Sequence, residues 1–399
     1  MTKNISVGID IGTYQIKVVV TENVKAEDGT YSPHLLGTGF AESKGLRHGY
    51  IINIADVTRC IRLAVAQAEK ISKIKIKQAY ISVGGIGLSS ITGRGTVMIS
   101  KADSEITDLD VKNVLTVAES EIPQSLLLNK KIIHSIPLSY KIDDQTLMGR
   151  PKGMHGNKLE AKMLFVVCLE QHLNDLIRAT EEADIEVIDV MASPIAASFV
   201  SLSKTQKIAG CVLVNIGSET VSMVVYENNI PISLEVFPVG STDITNDIAL
   251  GFRVPIDEAE NIKNRTTTGE TKYPKKKLDD IILSRLSDIF ALIEAHLKKI
   301  GRSSLLPAGI ILTGGGSGLE SVEDIARASL KLPSKIATIN FISNLKNTEL
   351  KDSFWSVAYG LSIWGLNNED DVSTGLHLSS GKTGKIFKGA GDWFKQFLP

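Results

Sequence analysis

One short pattern occurs twice in this chain and constrains its fold more than any other feature. Val7-Gly-Ile-Asp-Ile-Gly-Thr-Tyr-Gln-Ile-Lys-Val-Val-Val20 is matched by Val212-Leu-Val-Asn-Ile-Gly-Ser-Glu-Thr-Val-Ser-Met-Val-Val225. The spacing is constant: Asn215 follows Asp10, and Gly217 follows Gly12, by 205 positions. In each copy a run of apolar and β-branched residues predicts a strand. A glycine with polar neighbours then predicts a tight turn, and a second β-branched run returns antiparallel. Two similar hairpins, half a chain apart, predict two similar halves.

The turns have a definite chemistry. Gly12 and Gly217 lack a Cβ, so their backbone can approach an anion closely. Thr13 and Ser218 add hydroxyl donors beside exposed amides, forming an anion-binding concavity. Asp10, at a strand end, is placed to hold a hydrated Mg2+ near phosphates without direct coordination, and Lys17 is a candidate point charge for a phosphate oxygen. Taken singly, either turn needs no more than a glycine in a hairpin. At matching places in a duplicated chain, they would face each other across a cleft.

A third element, Ala308-Gly-Ile-Ile-Leu-Thr-Gly-Gly-Gly-Ser-Gly-Leu319, is a buried-type strand running into three glycines, followed by a helical stretch over 320–329. Bare backbone at Gly314, Gly315 and Gly316 can let a flat base or a phosphate lie against it. Between the second and third elements, a helical segment over 257–264 places Glu260 and Lys263 on one side.

Length and composition set the frame. With 399 residues, the chain is long enough for two to four domains. It is 43% hydrophobic and 22% charged, as soluble globular proteins are. With 44 basic and 45 acidic residues, it has no global field pointing to nucleic acid. Cys60, Cys168 and Cys211 show neither metal nor disulfide spacing and are read as reduced core residues. His134, His155 and His172 have no triad or metal spacing either. No signal-type N-terminus and no long apolar run is present, so any membrane contact is expected from the surface.

The glycine turns and the strand-Gly-Gly-Gly element resemble the phosphate 1, phosphate 2 and adenosine motifs of the actin, Hsp70 and sugar-kinase superfamily. The resemblance implies two α/β domains, duplicated ribonuclease H-like halves, with ATP and Mg2+ clamped between them. The inserts narrow this. Ala79-Tyr-Ile-Ser-Val-Gly-Gly is followed by a two-strand stretch over 87–100, a helix over 108–121, and then Lys131-Ile-Ile-His-Ser-Ile-Pro-Leu-Ser-Tyr-Lys-Ile-Asp143. This order is similar to the relocated subdomain 1C of the FtsA family, and 37–53 resembles the FtsA stretch ahead of the first long helix. The expected division is subdomain 1A at 1–80, 163–197 and 353–366; 1C at 81–162; 2A at 198–240 and 305–352; and 2B at 241–304. A linker at 367–383 and an amphipathic helix at 384–399 would follow.

The contact set so implied is Asp10, Gly12, Thr13, Tyr14, Lys17, Asn215, Gly217, Ser218, Glu219, Gly240, Glu260, Lys263, Gly314, Gly315 and Gly316, with Asp10 holding Mg2+ through water. Three positions depart from the superfamily pattern. Asn215 replaces the second aspartate, Glu219 brings a carboxylate beside the phosphates, and Ser193 stands where hydrolysing relatives orient a water. No general base is evident, so binding is expected without fast hydrolysis.

The tail carries separate chemistry. Ile386, Ala390, Trp393, Phe394 and Phe397 recur at helical spacing on one face, with Lys385, Lys388 and Lys395 off its centre. Such a segment suits an anionic bilayer surface, which Ile386, Phe387, Lys388, Trp393, Phe394, Lys395, Phe397 and Leu398 would meet. A membrane-targeting helix is also what the FtsA resemblance implies here. It further implies the partner FtsZ, other divisome proteins, head-to-tail self-association and a peripheral place on the cytoplasmic face of the inner membrane. The basic stretch 265–277 is expected as a solvated loop. A pilus-assembly scaffold of the PilM type and an ATP-dependent kinase are the alternatives.

Overall fold

The computed structural model describes residues 4–25, 31–100, 103–147, 149–264, 273–339, 341–343 and 353–372. The tail residues named above lie outside them.

Both glycine hairpins form. Ile5–Ile11 pairs antiparallel with Gln15–Lys25, and Cys211–Ile216 with Val221–Glu227. Each hairpin extends to a third antiparallel strand, Tyr31–Glu42 in the first case and Ile230–Phe237 in the second. On its other side each opening strand takes two parallel strands, Gln78–Val83 then Glu186–Ala192, and Ile310–Thr313 then Ser334–Ile336. The repeat thus extends to the whole sheet, with Ile342–Ser343 added at the edge of the first.

The first sheet is covered on both faces. Gly8 and Gly39 point to opposite sides, because Gly39 shares a face with Val18 and Ile9, whereas Gly8 shares one with Val19 and Thr38. A Cβ on Gly39 would lie 2.0 Å from the Ala64 carbonyl in helix Ile54–Ser72. One on Gly8 would lie 2.2 Å from Ala358 O in helix Ser356–Val372. Helices packed this tightly on each side leave Val18, Val19 and Val20 wholly buried. A continuous β-branched run suits a strand enclosed on two faces.

Four further antiparallel strands, in the order Ser89–Met98, Lys158–Leu169, Lys130–Ile142 and Gln145–Leu147, form a separate sheet under helix Asp108–Ser120. Here the structure departs from the sequence reading. The stretch 87–100 holds one strand rather than two, and the glycines within it serve packing. A Cβ on Gly95 would meet Val114 O at 2.2 Å, and one on Gly93 would meet Ala118 O at 2.5 Å, so both let the helix backbone settle onto the strand.

Gln78–Val83 belongs whole to the six-stranded sheet, and Lys158–Leu169 runs unbroken past residue 162. Lys275, Lys276 and Lys277 are not loop but the first turn of helix Lys275–Lys299. Pro274 caps that helix, and Leu278, Ile282, Leu286, Ile289, Phe290 and Ile293 bury one face of it. Lys277 donates to Gly251 O at 2.6 Å and lies over the Phe252 ring. Helix Ser356–Val372 continues through residues 367–372, where composition suggested a linker. All three cysteines are buried and unpaired with one another.

Candidate functional site: a cavity between two glycine turns

The two turns meet across a cavity of about 640 Å³, well within the range of small-molecule sites. Their construction is the same. A Cβ on Gly12 would fall 2.9 Å from Gln15 O, and one on Gly217 would fall 2.8 Å from Thr220 O, again 205 positions apart. Both glycines let the chain fold back on itself within three residues. Asp10, Thr13, Tyr14 and Lys17 line one side of the cavity; Asn215, Ser218, Glu260 and Lys263 line the other; and Gly314, Gly315 and Gly316 close it.

The triple glycine divides its labour. Gly314 has φ +88, and its Cβ would meet Asn215 Oδ1 at 2.1 Å. Gly316 is pressed on Ile216, whereas Gly315 has open space where a side chain would be. A short 3-10 turn, Gly315–Gly318, separates the strand from helix Val322–Leu330, which starts two residues later than the helical stretch expected over 320–329.

Charges in the cavity are paired. The buried Asp10 carboxylate accepts from Ser82 Oγ at 3.0 Å and from Lys17 Nζ at 3.1 Å. Lys17 Nζ also lies 4.3 Å above the Phe354 ring. Lys263 is buried and donates to Glu260 at 2.7 Å, Thr245 Oγ1 at 2.8 Å and Ser241 O at 3.3 Å. Burial would raise the Glu260 carboxyl, but hydrogen bonds from Lys263, Thr245 and Asn264 outweigh it and hold it below its ordinary value.

Two expected members lie elsewhere. Gly240 does not line the cavity. It caps helix Ser241–Phe252, donating to Asp243 Oδ2, and its missing Cβ lets the Ser218 carbonyl pack against it. The amides of Ser241 and Thr242 donate to the Gly217 and Ser218 carbonyls at 2.9 and 2.8 Å, which locks the second turn onto that helix. The Glu219 carboxylate, expected beside the phosphates, turns away and accepts the His48 backbone N–H at 2.5 Å.

Several lining residues escaped the sequence reading: Ser82, Gly84 and Gly85, with Ser241, Glu320 and Phe354. No local pattern marks the first three. Ser82 is the last residue but one of the parallel strand Gln78–Val83 beside Asp10, and only sheet pairing reveals that proximity. Ser193 lines the cavity behind Gly84, so the expected position is present but carries only a hydroxyl.

Two histidines from the four-stranded sheet and its neighbouring helix hold these walls. The His172 ring lies 3.2 Å from Gly84 O, and Nε2 of His134 accepts from the Ala192 amide at 3.1 Å, just ahead of Ser193. Burial pushes His134 down to about 3 and His172 down to about 4. Both are therefore neutral in the fold and take up a proton on unfolding below their ordinary 6.5. Their contribution to stability is present above pH 6.5 and lost as pH falls towards the folded values. Asp189 acts oppositely: burial raises it to about 7, so its contribution grows as pH falls through that value. The clean comparison is with His134→Gln, which keeps an acceptor for Ala192. Between pH 6.5 and 5.0, urea denaturation should show the native chain losing about 1.6 kcal/mol more than this variant, as proton uptake by the unfolded histidine rises from half a proton to nearly one. Equal losses would show that His134 is not neutral in the fold.

Comparison with known proteins agrees with this architecture. Two family models match, that of "Cell division protein FtsA" over residues 212–360 and that of the "SHS2 domain inserted in FTSA" over 85–167. The chain is 28% identical to the cell division protein FtsA of Pseudomonas aeruginosa, with 92% of this chain and 90% of that protein covered. It is 29% identical to that of Bacillus subtilis, covering 84% and 79%. Among solved structures, a chain of the PilM-PilN type IV pilus biogenesis complex superposes with TM-score 0.66 at 18% identity, over 90% of this chain and 98% of that one. MreB 5 of Spiroplasma citri bound to AMPPNP superposes with TM-score 0.51 at 12% identity, over 93% of this chain and 99% of that one. The inserted-domain match falls on the four-stranded sheet and its helix, and the other spans the second sheet with two of the three glycine elements. On an actin-like two-domain frame, the chain belongs to the FtsA family of cell-division proteins.

Proposed function

We propose that this chain binds ATP with Mg2+ in the cleft and works as a self-associating scaffold that holds FtsZ filaments at the membrane. The observation that carries the nucleotide reading is the meeting of two equivalent glycine turns across one cavity. A nucleotide-bound neighbour of the same fold, the AMPPNP complex named above, supports it.

The residues fit such a ligand. Gly315 leaves open space for a flat ring or a phosphate, and the hydroxyls of Thr13 and Ser218 stand beside bare backbone. Asp10 and Asn215 offer one carboxylate and one amide, a set suited to a hydrated Mg2+ held through water. When bound, that ion would neutralise phosphate charge. Lys17 would then exchange its Asp10 partner for a phosphate oxygen, while Lys263 and Glu260 keep each other and shape the nucleoside side. Neither Asn215 nor Ser193 can take a proton from water at neutral pH, so slow turnover follows. A sugar kinase would need an acid at the terminal phosphate, and these two positions count against it.

The tethering part rests on the tail sequence and on family membership. Among the described residues, no helix is long and apolar enough to cross a membrane. A terminal amphipathic segment with lysines and Trp393-Phe394 would attach at the surface, each lysine adding about 1 kcal/mol near anionic lipid. One such tail binds modestly; many on a filament bind far better through effective concentration. Vesicle co-sedimentation with purified FtsZ tests this. The full chain should carry FtsZ to anionic vesicles, while a chain ending at Thr383, or Trp393→Glu, should leave it in the supernatant. Sedimentation unchanged by either alteration would remove the tail assignment, and failure of the full chain despite ATP binding would favour a pilus-type scaffold.

A further inference from the structure

The least expected contact of the cleft is made by Glu219. The strands Leu46–Arg47 and Tyr50–Ile51 form a small hairpin from the first half of the chain. Its two turn residues, His48 at φ 48 and Gly49 at φ 83, are both left-handed, the geometry of a turn that presents successive amides outward. Those amides reach the two opposed glycine turns. Gly49 N–H donates to Thr13 Oγ1 at 3.1 Å, and His48 N–H donates to Glu219 Oε2 at 2.5 Å. The imidazole follows, with Nδ1 3.4 Å from the Glu219 carbonyl.

Both ends of this contact are seated on rigid backbone. A Cβ on Gly49 would lie 2.4 Å from Gly85 Cα, so the hairpin tip is pressed directly on the cavity wall. On the opposite side, Gly240 packs against Ser218 O and the Glu219 amide, and the helix beginning at Ser241 fixes the second turn. The carboxylate is therefore delivered to the hairpin by a part that cannot yield much. An ionised acceptor makes the bond stronger than a neutral pair would.

We propose that Glu219 is a positioning residue: by binding the His48 amide it ties the two halves together and holds the hairpin tip over the cleft. Gly49 then occupies a lone pair of the Thr13 hydroxyl, leaving the hydroxyl proton for an anion inside. The conformational part of this stands without any ligand; the effect on release rests on the nucleotide reading above.

Two measurements separate these parts. The three native cysteines are buried, so spin labels can be placed at Ile52→Cys and Leu250→Cys, positions 70% and 78% exposed on opposite halves. Without nucleotide, the full chain should give one narrow interspin distance. Glu219→Ala should broaden it towards longer values, and Glu219→Gln, which keeps an acceptor oxygen, should restore it. Glu219→Thr, too short to reach the hairpin, serves should the alanine variant not fold. A distribution unchanged by Glu219→Ala or Glu219→Thr overturns the proposal. In the second measurement, Glu219→Ala should release N-methylanthraniloyl-ATP about tenfold faster, the loss expected for one hydrogen bond to a charged group. Slower release would mean that the carboxylate acts only by repelling phosphate, and would overturn the positioning role. Should the native chain bind none of this analogue, the nucleotide reading fails and the interspin distances still decide the tie.

Discussion

Gly314→Val should cost the second domain about 3–5 kcal/mol, while Gly315→Val, one residue on, should leave stability nearly unchanged and weaken ATP binding instead. At 314 the backbone is left-handed, a conformation a β-branched residue adopts only under strain, and its Cβ would stand 2.1 Å from Asn215 Oδ1 and 2.6 Å from Ile216 O. The Asn215 amide could rotate aside, but the Ile216 carbonyl cannot retreat, since it belongs to a strand paired on each side. At 315 nothing lies within 4 Å of the added carbon, so the side chain enters only space the ligand would use. Urea denaturation and calorimetric titration of both variants test this. Equal destabilisation would show that Gly315 is structural too, and undiminished affinity in Gly315→Val would remove the triple glycine from the nucleotide site.

The second large effect is expected at the first turn. Gly12→Val should lower ATP affinity by at least about a hundredfold, because a branched side chain would stand where phosphate must meet bare backbone. The strain is smaller than at 314. The new Cβ would meet only Gln15 O, at 2.9 Å, and a hairpin tip can give by a few tenths of an ångström. Circular dichroism should therefore remain that of the folded chain while titration with Mg-ATP loses its signal. Retained affinity would mean that the first turn is a turn and nothing more. Gly217→Val is the matched control, since Thr220 O lies 2.8 Å from its Cβ and the two turns should fail alike.

The contrast between these glycines shows where sequence reading stops. The two hairpins were legible because everything that makes them is local: β-branched runs, a glycine, and polar residues within fourteen positions. Duplication then doubled the signal and implied a cleft. The same local logic read 87–100 as two strands rather than one and passed over Gly93 and Gly95, because a glycine required by a helix lying across a strand leaves no local mark. It likewise read Lys275, Lys276 and Lys277 as loop, when the apolar period beginning at Leu278 carries them into a helix.

Within the site, residue types were fixed by the sequence, and partners were not. Asp10 and Lys17 were marked by their places in the first hairpin, and Glu260 and Lys263 by helical spacing and the superfamily resemblance. That Asp10 shares its carboxylate between Lys17 and Ser82, 72 residues away, depends on which strands lie side by side. That Glu219 faces His48, 171 residues away, rather than the cavity depends on how the two halves close. Local propensity and periodicity act over a few residues, so the chain by itself determined its hairpins, its duplication and the chemistry available at the turns. Which charges meet, and which glycines touch a ligand rather than a helix, were decided only when distant segments packed, because those contacts have no energy until both sides are in place.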